Sequence, residues 1–453
     1  MPQIEIYESK QEERVKGIFK EHKIEIGRDA INKIMKMLEN YKDTIFISEI
    51  INRLSLATKH KKEVGFTLKI SKVYENEKVI EAIKKLNSYI LPDTIGAVAE
   101  YLDEKAAISV AKIFLYYKES LVNTNISNSL DNFIMVGDLS ALSLAIKAYQ
   151  DEKVKMAIKV YQNETDRATA ANAIGYFCYS RDWESVIRGV DLIIRYSKDP
   201  KKIKEEMIEA GIPSKRVEKL TANPTQFLTV PYRLLDVSNT LELNKRYGKK
   251  SIEKLRSEYN LDFLGRYPMS VLEKMYKDKR QKKPLGILVF AKNDPLDTFY
   301  MSIKLVKNIS EKFDLRIVEV DNETSFSRLL EMMYNKNGKF DFLLIAGHGS
   351  ADSITLGRKE GSKEDKIDAT DEDLLLEIKE YLDLECNVFL VVCKSAGSIA
   401  EKISKTLNRT LFAPTTEVKI PEGIEFEEGN NKNIKKVITG EKSREKIWIK
   451  ITK

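Results

Sequence analysis

The stretch FDFLLIAGHGS, residues 340–350, decides how the second half of the chain folds. Its first seven residues are almost continuously apolar, which is typical of a strand buried on both faces of a sheet. The run ends in Gly347-His348-Gly349, so a histidine lies where the strand ends. Only three histidines occur in the 453 residues. Glycines on both sides of His348 leave room for a substrate or another backbone to approach closely.

Strand and helix patterns alternate around this stretch. Strands that are apolar throughout and separated by amphipathic helices predict a parallel sheet with helices on both faces. In such sheets, ligands bind beyond the carboxyl ends of the strands, where His348 is expected. The predicted strands are 285–291, 315–320, 340–346, 387–392 and 410–414, and the predicted helices are 298–313, 325–336, 372–382 and 397–408.

The first half of the chain is predicted to be helical. Apolar residues recur at i, i+3, i+4 spacing from roughly residue 10 to residue 220. The echo of AIKAYQ (145–150) in AIKVYQ (157–162) leaves open whether these helices form true repeats. The predicted fold class is α + α/β, a helical array followed by a mostly parallel sheet. The predicted regions are 1–225 (helical, for interaction or regulation), 226–283 (helical connector with a basic linker) and 284–453 (α/β domain, with the place of 415–453 open).

Composition narrows the class of protein. The 76 basic and 69 acidic residues give a net charge of +7, but they are interspersed along the chain. This pattern indicates a solvated surface and argues against a nucleic-acid-binding face. No apolar run reaches signal-peptide or membrane-span length, so no membrane association is expected. The three cysteines form no CxxC pair, which favours a reducing, cytoplasmic environment.

A second strand ends in a chemically useful residue. Cys393 directly follows NVFLVV (387–392), and a helix is expected to begin at once, with Ser395 as its N-cap. The positive end of a helix dipole favours the thiolate, the nucleophilic form of cysteine. Lys394 adds to this effect if its side chain points inward. Together with His348 at the same edge of the sheet, Cys393 forms a pair that often serves as nucleophile and general acid–base.

Each of the two residues also has a plain structural explanation. A histidine at a strand end is often a surface residue, and a free cysteine often behaves as a small hydrophobic side chain. The order of His348 and Cys393, their strand contexts and the flanking glycines favour function over these explanations.

The arrangement resembles the caspase-like fold of clan CD cysteine peptidases over roughly residues 284–415. FLLIAGHGS is similar to the "strand–GHG" signature of CHAT-type domains, and VVCKSAG is similar to their "strand–C-x-S-G" signature. CHAT domains commonly follow helical-repeat regions, as the predicted helical half does here. The sequence departs from the family in three ways: the caspase pentapeptide is absent, Val392 replaces a small residue, and Ala396 precedes Gly397.

The resemblance implies cysteine-type endopeptidase activity on a protein or peptide substrate. Cys393 would attack the scissile carbonyl, and His348 would protonate the leaving amine. The backbone N–H groups of Gly349 and Cys393 would stabilise the oxyanion. No metal or organic cofactor is needed for this chemistry. The helical region would bind a regulatory protein.

The resemblance also places the first βα loop beside the pocket for the residue before the cut. In this chain the loop is AKNDPLD (291–297), so Asp294 or Asp297 is expected to pair with a substrate Lys or Arg. A turn or helix-cap role for these aspartates is the alternative. A basic preference would make KDKRQKKP (277–284) a candidate self-processing site, although a solvated linker is its simpler interpretation.

Two alternative functions stay open from the sequence. The chain could be a non-catalytic helical scaffold with a structural α/β domain. It could instead carry an unrelated flavodoxin-like domain that binds a nucleotide at the same strand ends. Stabilisation by a ligand without any need for Cys393 would favour the nucleotide-binding alternative.

Overall fold

The structure, a computed structural model, describes residues 2–21, 23–41, 46–61, 64–86, 90–292, 294, 298–357, 365–417, 420–427, 430–438 and 448–452. The chain forms two compact units, Met1–Cys178 and Tyr179–Lys453. The functional boundaries expected after residues 225 and 283 stay predictions.

The first unit is helical, as predicted. Aspartate caps set several helix starts: the Asp103 side chain accepts a hydrogen bond from the N–H of Ala106 at 2.7 Å, and Asp138 accepts one from Ala141 at 3.0 Å. The helices are α1 (Pro2–Glu21), α2 (Arg28–Leu38), α3 (Ile47–Lys61), α4 (Val64–Tyr74), α5 (Glu77–Leu86), α6 (Ile90–Tyr101), α7 (Glu104–Tyr117), α8 (Ser120–Met135), α9 (Leu139–Gln150), α10 (Glu152–Lys159) and α11 (Glu164–Cys178).

The second unit begins with further helices and a 3₁₀ turn at Leu264–Arg266. Pro200, Pro224 and Pro231 each lie in a first helical turn, where a missing N–H costs nothing. Across the helices that the structure describes, none combines the length and apolar character needed to cross a membrane. These helices are α12 (Trp183–Lys198), α13 (Pro200–Glu209), α14 (Ser214–Leu220), α15 (Pro224–Leu228), α16 (Pro231–Tyr247), α17 (Lys249–Tyr259) and α18 (Met269–Lys277).

The rest of the second unit alternates strands and helices. The strands are β1 (Leu285–Ala291), β2 (Asp314–Val320), β3 (Phe340–Ala346), β4 (His348–Gly349), β5 (Ser353–Thr355), β6 (Lys366–Asp368), β7 (Leu382–Val391), β8 (Thr410–Pro414), β9 (Gly423–Glu427), β10 (Asn430–Ile438) and β11 (Trp448–Ile451). The helices are α19 (Ile303–Lys312), α20 (Glu323–Asn337), α21 (Glu372–Tyr381) and α22 (Ser398–Leu407), with a 3₁₀ turn at Thr298–Ser302.

Six of these strands form one sheet in the order β11-β8-β7-β3-β1-β2. Neighbouring strands are parallel except for β11, which runs antiparallel to β8 at one edge. This pairing confirms the prediction of a mostly parallel sheet. Strands β1 and β2 are buried along their whole length, as expected for strands covered on both faces. The described part of segment 415–453 contributes β11 to one edge of the sheet. Its strands β9 and β10 form a separate antiparallel pair.

One local prediction is corrected. Strand β7 begins at Leu382, so Cys386 lies inside the strand and not before it, next to a shift in the pairing register with β3. The basic run at 277–284 is partly to fully exposed, as a solvated linker would be, and it is also anchored. The Asp314 carboxylate accepts hydrogen bonds from Arg280 at 3.1 Å and from the backbone of Gln281 at 3.0 Å, and these bonds attach the run to β2.

Candidate active site

His348 and Cys393 follow neighbouring strands of the sheet. Strands β3 and β7 are parallel, with Ala346 opposite Val391. Each site residue lies two positions beyond its member of that pair. The N–H of Gly347 donates to the Val391 carbonyl at 3.2 Å, so hydrogen bonding between the strands continues past the end of β3. Because adjacent strands are about 4.8 Å apart, the imidazole and the thiol arise from neighbouring positions at the carboxyl edge.

The His348 imidazole is held from one side. Its Nε2 lies 3.3 Å from Oδ1 of Asp294, and its ring centroid lies 5.7 Å from that of Phe299. The backbone of His348 pairs with Thr355 in the short antiparallel sheet of β4, β5 and β6. One third of the side chain, 33%, stays exposed. The Asp294 carboxylate therefore contacts the Nε2 edge of a partly exposed ring.

Asp294 is a buried carboxylate with several partners. Its side chain has no exposed surface, and its oxygens accept hydrogen bonds from the N–H groups of Thr298 and Phe299, both at 2.8 Å. Arg266 donates a further bond at 3.3 Å. Burial favours protonation, but His348, Arg266 and the backbone donors together hold the pKa of Asp294 below the ordinary value of an aspartate.

These contacts bear on the expected substrate role of Asp294. A carboxylate that is fully buried and already hydrogen-bonded on both oxygens is not available to a substrate Lys or Arg. The geometry favours the orientation of His348 as the role of Asp294. Asp297, the other candidate, lies outside the described residues.

Cys393 lies in a turn and not at a helix start. Helix α22 begins at Ser398 with Gly397 as its N-cap, so the expected N-cap role of Ser395 is wrong. The helix dipole acts mainly within one turn of the helix end, which weakens the expected effect on the thiol. Lys394 does not point inward either: its side chain is 56% exposed and pairs with Glu417 at 2.8 Å.

The turn that carries Cys393 is fixed by its backbone. The N–H of Lys394 donates to the Thr416 carbonyl at 2.9 Å, and the N–H of Ala396 donates to Pro414 at 2.9 Å. These bonds attach the turn to the end of β8. The Cys393 side chain is partly exposed, whereas Cys178 and Cys386 are buried. Burial raises the pKa of the Cys178 and Cys386 thiols, which keeps them protonated and unreactive.

The loop after His348 contacts the helix after Cys393. The Ala351 carbonyl accepts a hydrogen bond from the N–H of Ile399 at 3.0 Å, and Ser398 Oγ donates to Asp352 at 2.6 Å. Gly349 lies in the same region, and a Cβ there would overlap the Ser353 carbonyl and lie 2.7 Å from Val392 Cγ1. Close packing thus requires this glycine. Its N–H as an oxyanion donor, together with that of Cys393, stays a prediction.

Arg266 also belongs to this site, and the sequence did not predict it. It comes from the 3₁₀ turn at Leu264–Arg266, outside the predicted α/β domain, and its side chain is 1% exposed. A signal was present in the sequence: the arginine stands in the aromatic run DFLGRYP (262–268). An arginine in an apolar surrounding is rarely buried without a charged partner.

A cavity of about 260 Å³ lies elsewhere in the second unit, lined by Lys304, Lys307, Asn308, Glu311, Glu422 and Ile438. It shares no lining residue with the site around His348 and Cys393. No family model, curated protein or solved structure matches the chain.

Proposed function

We propose that the protein is a caspase-like cysteine endopeptidase with Cys393 as nucleophile, His348 as general acid–base and Asp294 as the group that orients His348. One observation carries the proposal. The imidazole and the thiol follow adjacent parallel strands at matching positions, and the imidazole is bonded to a buried carboxylate. A base oriented by a third group is the arrangement expected for an activated nucleophile.

The proposed reaction uses only side chains and backbone of this chain. The thiol proton moves to Nδ1 of His348, and the Cys393 sulfur adds to the scissile carbonyl carbon. The C–N bond then breaks, and the leaving amine takes the proton from His348. Water attacks the thioester and gives its proton to His348, and the departing sulfur recovers a proton. The ionised Asp294 stabilises the imidazolium formed in each half of the cycle.

A basic preference before the cut no longer has Asp294 as its carboxylate. A positional peptide library measures the substrate preference directly. The helical first unit is proposed to bind a regulatory protein. A cytoplasmic location is proposed because the mechanism needs Cys393 in its reduced form, and thiols are kept reduced there.

The test compares wild type with Cys393→Ala on a positional library of peptides, beside a thiol-reactive peptide probe. Hydrolysis and labelling are expected in wild type and should vanish in Cys393→Ala. Cys386→Ala is the matched control, since it removes a buried thiol from the same strand, in its amino-terminal half and away from the site. A wild type that neither cleaves any peptide nor reacts with the probe would count for the scaffold alternative.

A further inference from the structure

The proposed site rests on a buried cation from a different part of the chain. Arg266 donates to Oδ2 of Asp294 at 3.3 Å, whereas His348 contacts Oδ1 of the same carboxylate. A second guanidinium nitrogen lies 3.7 Å from Oε1 of Glu319. The side chains of Asp294 and Glu319 have no exposed surface. Arg266 therefore lies close to two carboxyl groups that have no exposed surface, and of the two only Asp294 has its pKa lowered, since burial raises the pKa of Glu319.

Aromatic rings fix the guanidinium in place. Its central carbon lies 4.1 Å from the ring centroid of Phe263, 5.5 Å from that of Phe299 and 5.6 Å from that of Tyr300. Such stacking suits the flat guanidinium and not a lysine ammonium. Phe299 also lies against the His348 ring, so one aromatic side chain contacts both the cation and the imidazole.

Glu319 is anchored independently of Arg266. It accepts hydrogen bonds from Tyr267 Oη at 2.6 Å and from the N–H of Asp262 at 2.8 Å. Among the residues that the structure describes, none accepts a hydrogen bond from Nε or from one terminal nitrogen of Arg266. Ionic attraction and the surrounding rings therefore hold the cation, and the carboxylate nearest the site is Asp294.

We propose that Arg266 is a positioning residue for the reaction. It keeps Asp294 ionised and in place, so that the His348 ring carries its proton on Nε2 and presents Nδ1 to Cys393. This inference rests on the proposed function. It also means that the active site is completed by the connector segment at 260–268, so residues 284–453 alone lack part of it.

The test uses the tautomer of His348, which is measurable without any substrate. Full-length protein labelled with ¹⁵N-histidine has three imidazoles, and a His348→Gln variant assigns the signals. Wild type is expected to show His348 with the proton on Nε2. Arg266→Gln should shift His348 toward a mixture of tautomers, whereas Arg316→Gln should not. Arg316 is the matched control because it is also a buried arginine paired with a buried carboxylate, Asp314 at 3.0 Å, but it lies near the start of β2, at the end of the sheet opposite His348.

A second variant covers the case in which Arg266→Gln does not fold. Phe263→Leu keeps the charge of Arg266 and removes the ring that lies nearest its guanidinium. It should therefore shift the tautomer ratio of His348 in the same direction as Arg266→Gln, but by a smaller amount. An unchanged His348 signal in the folded variants would overturn the inference and leave Arg266 a purely structural residue.

Kinetics separates this inference from the proposed function. If wild type cleaves peptides, Arg266→Gln should lower kcat by roughly tenfold to a hundredfold with little change in KM, as a displaced base would. Adding Arg266→Gln to Asp294→Asn should then cost little more than Asp294→Asn alone. If wild type cleaves nothing, the proposed function fails, while the tautomer measurement still decides the role of Arg266.

Discussion

Ala346 and Val391 are paired in register across β3 and β7, and this pair fixes where the candidate catalytic groups lie. Two residues beyond it on each strand come His348 and Cys393. Neither residue needs a long loop to reach the other. The sheet itself brings the imidazole and the thiol to one edge, since parallel strands end on the same side.

Alkylation should distinguish the three cysteines. Iodoacetamide is expected to modify only Cys393 in the folded protein, because burial raises the pKa of the Cys178 and Cys386 thiols and blocks access to them. In urea all three should react. Mass spectrometry of peptides after timed labelling measures this directly. Modification of Cys386 at a rate similar to that of Cys393 in native protein would contradict the structure of β7.

Gly349→Ala should destabilise the second unit. The added methyl group would overlap the Ser353 carbonyl, which is backbone and cannot rotate away, and would crowd Val392. We expect a loss of roughly 1–3 kcal/mol of unfolding free energy. Gly338→Ala is the control: its Cβ would meet no atom, and only its positive φ of 88° is penalised, at about 1 kcal/mol.

Tryptophan fluorescence reports this loss, because Trp183 and Trp448, the two tryptophans of the chain, both lie in the second unit. Equal stability of the Gly349→Ala and wild-type proteins would show that there is room for a methyl group between Gly349 and the Ser353 carbonyl.

Asp294→Asn should change how stability depends on pH. The folded state holds the pKa of Asp294 below its ordinary value, so the unfolded state binds more protons in acid. The stabilisation is present above about pH 3.9, the pKa of an unfolded aspartate, and is lost as the pH falls through the folded pKa. At pH 7 the variant should be less stable by roughly 1–3 kcal/mol. Urea titrations should show this difference shrinking below pH 4; a constant difference would argue against an ionised Asp294.

Asp236→Asn should show the opposite slope. Burial raises the pKa of Asp236 to about 6, despite hydrogen bonds from Tyr300 Oη and the N–H of Gly265. The folded state then binds the extra proton between about pH 4 and pH 6, so wild-type stability falls as the pH rises across that range. One pKa unit corresponds to about 1.4 kcal/mol, so the change amounts to about 3 kcal/mol at most.

The asparagine variant lacks this titration, and its stability relative to wild type should improve from pH 4 to pH 6. Unfolding monitored by tryptophan fluorescence at several pH values checks the sign. A relative stability that worsens over this range would show that Asp236 is ionised more easily in the folded state than in the unfolded chain.

Much of the α/β region could be read from the sequence. Strands β1, β3 and β8 begin and end where the apolar runs predict, because a strand buried on both faces needs apolar residues at every position. The same pattern predicted which residues follow the strands, and so placed His348 and Cys393 at one edge. Helix α22 also agrees with the predicted range 397–408 to within one residue at each end, and only its N-cap was wrong, because the structure has Gly397 and not Ser395 in that position.

By itself, the sequence determined the order of strands and helices and the two residues at the strand ends, since periodic burial is recorded in neighbouring positions. Only the tertiary structure decided what lies behind His348. Asp294 and Arg266 belong to separate segments, and their contact depends on how the chain at the turn 264–266 packs against the sheet, where the neighbouring Tyr267 contacts both β1 and β2. A buried charge pair leaves no local period in the sequence, because its partners are matched by packing in space and not by spacing along the chain.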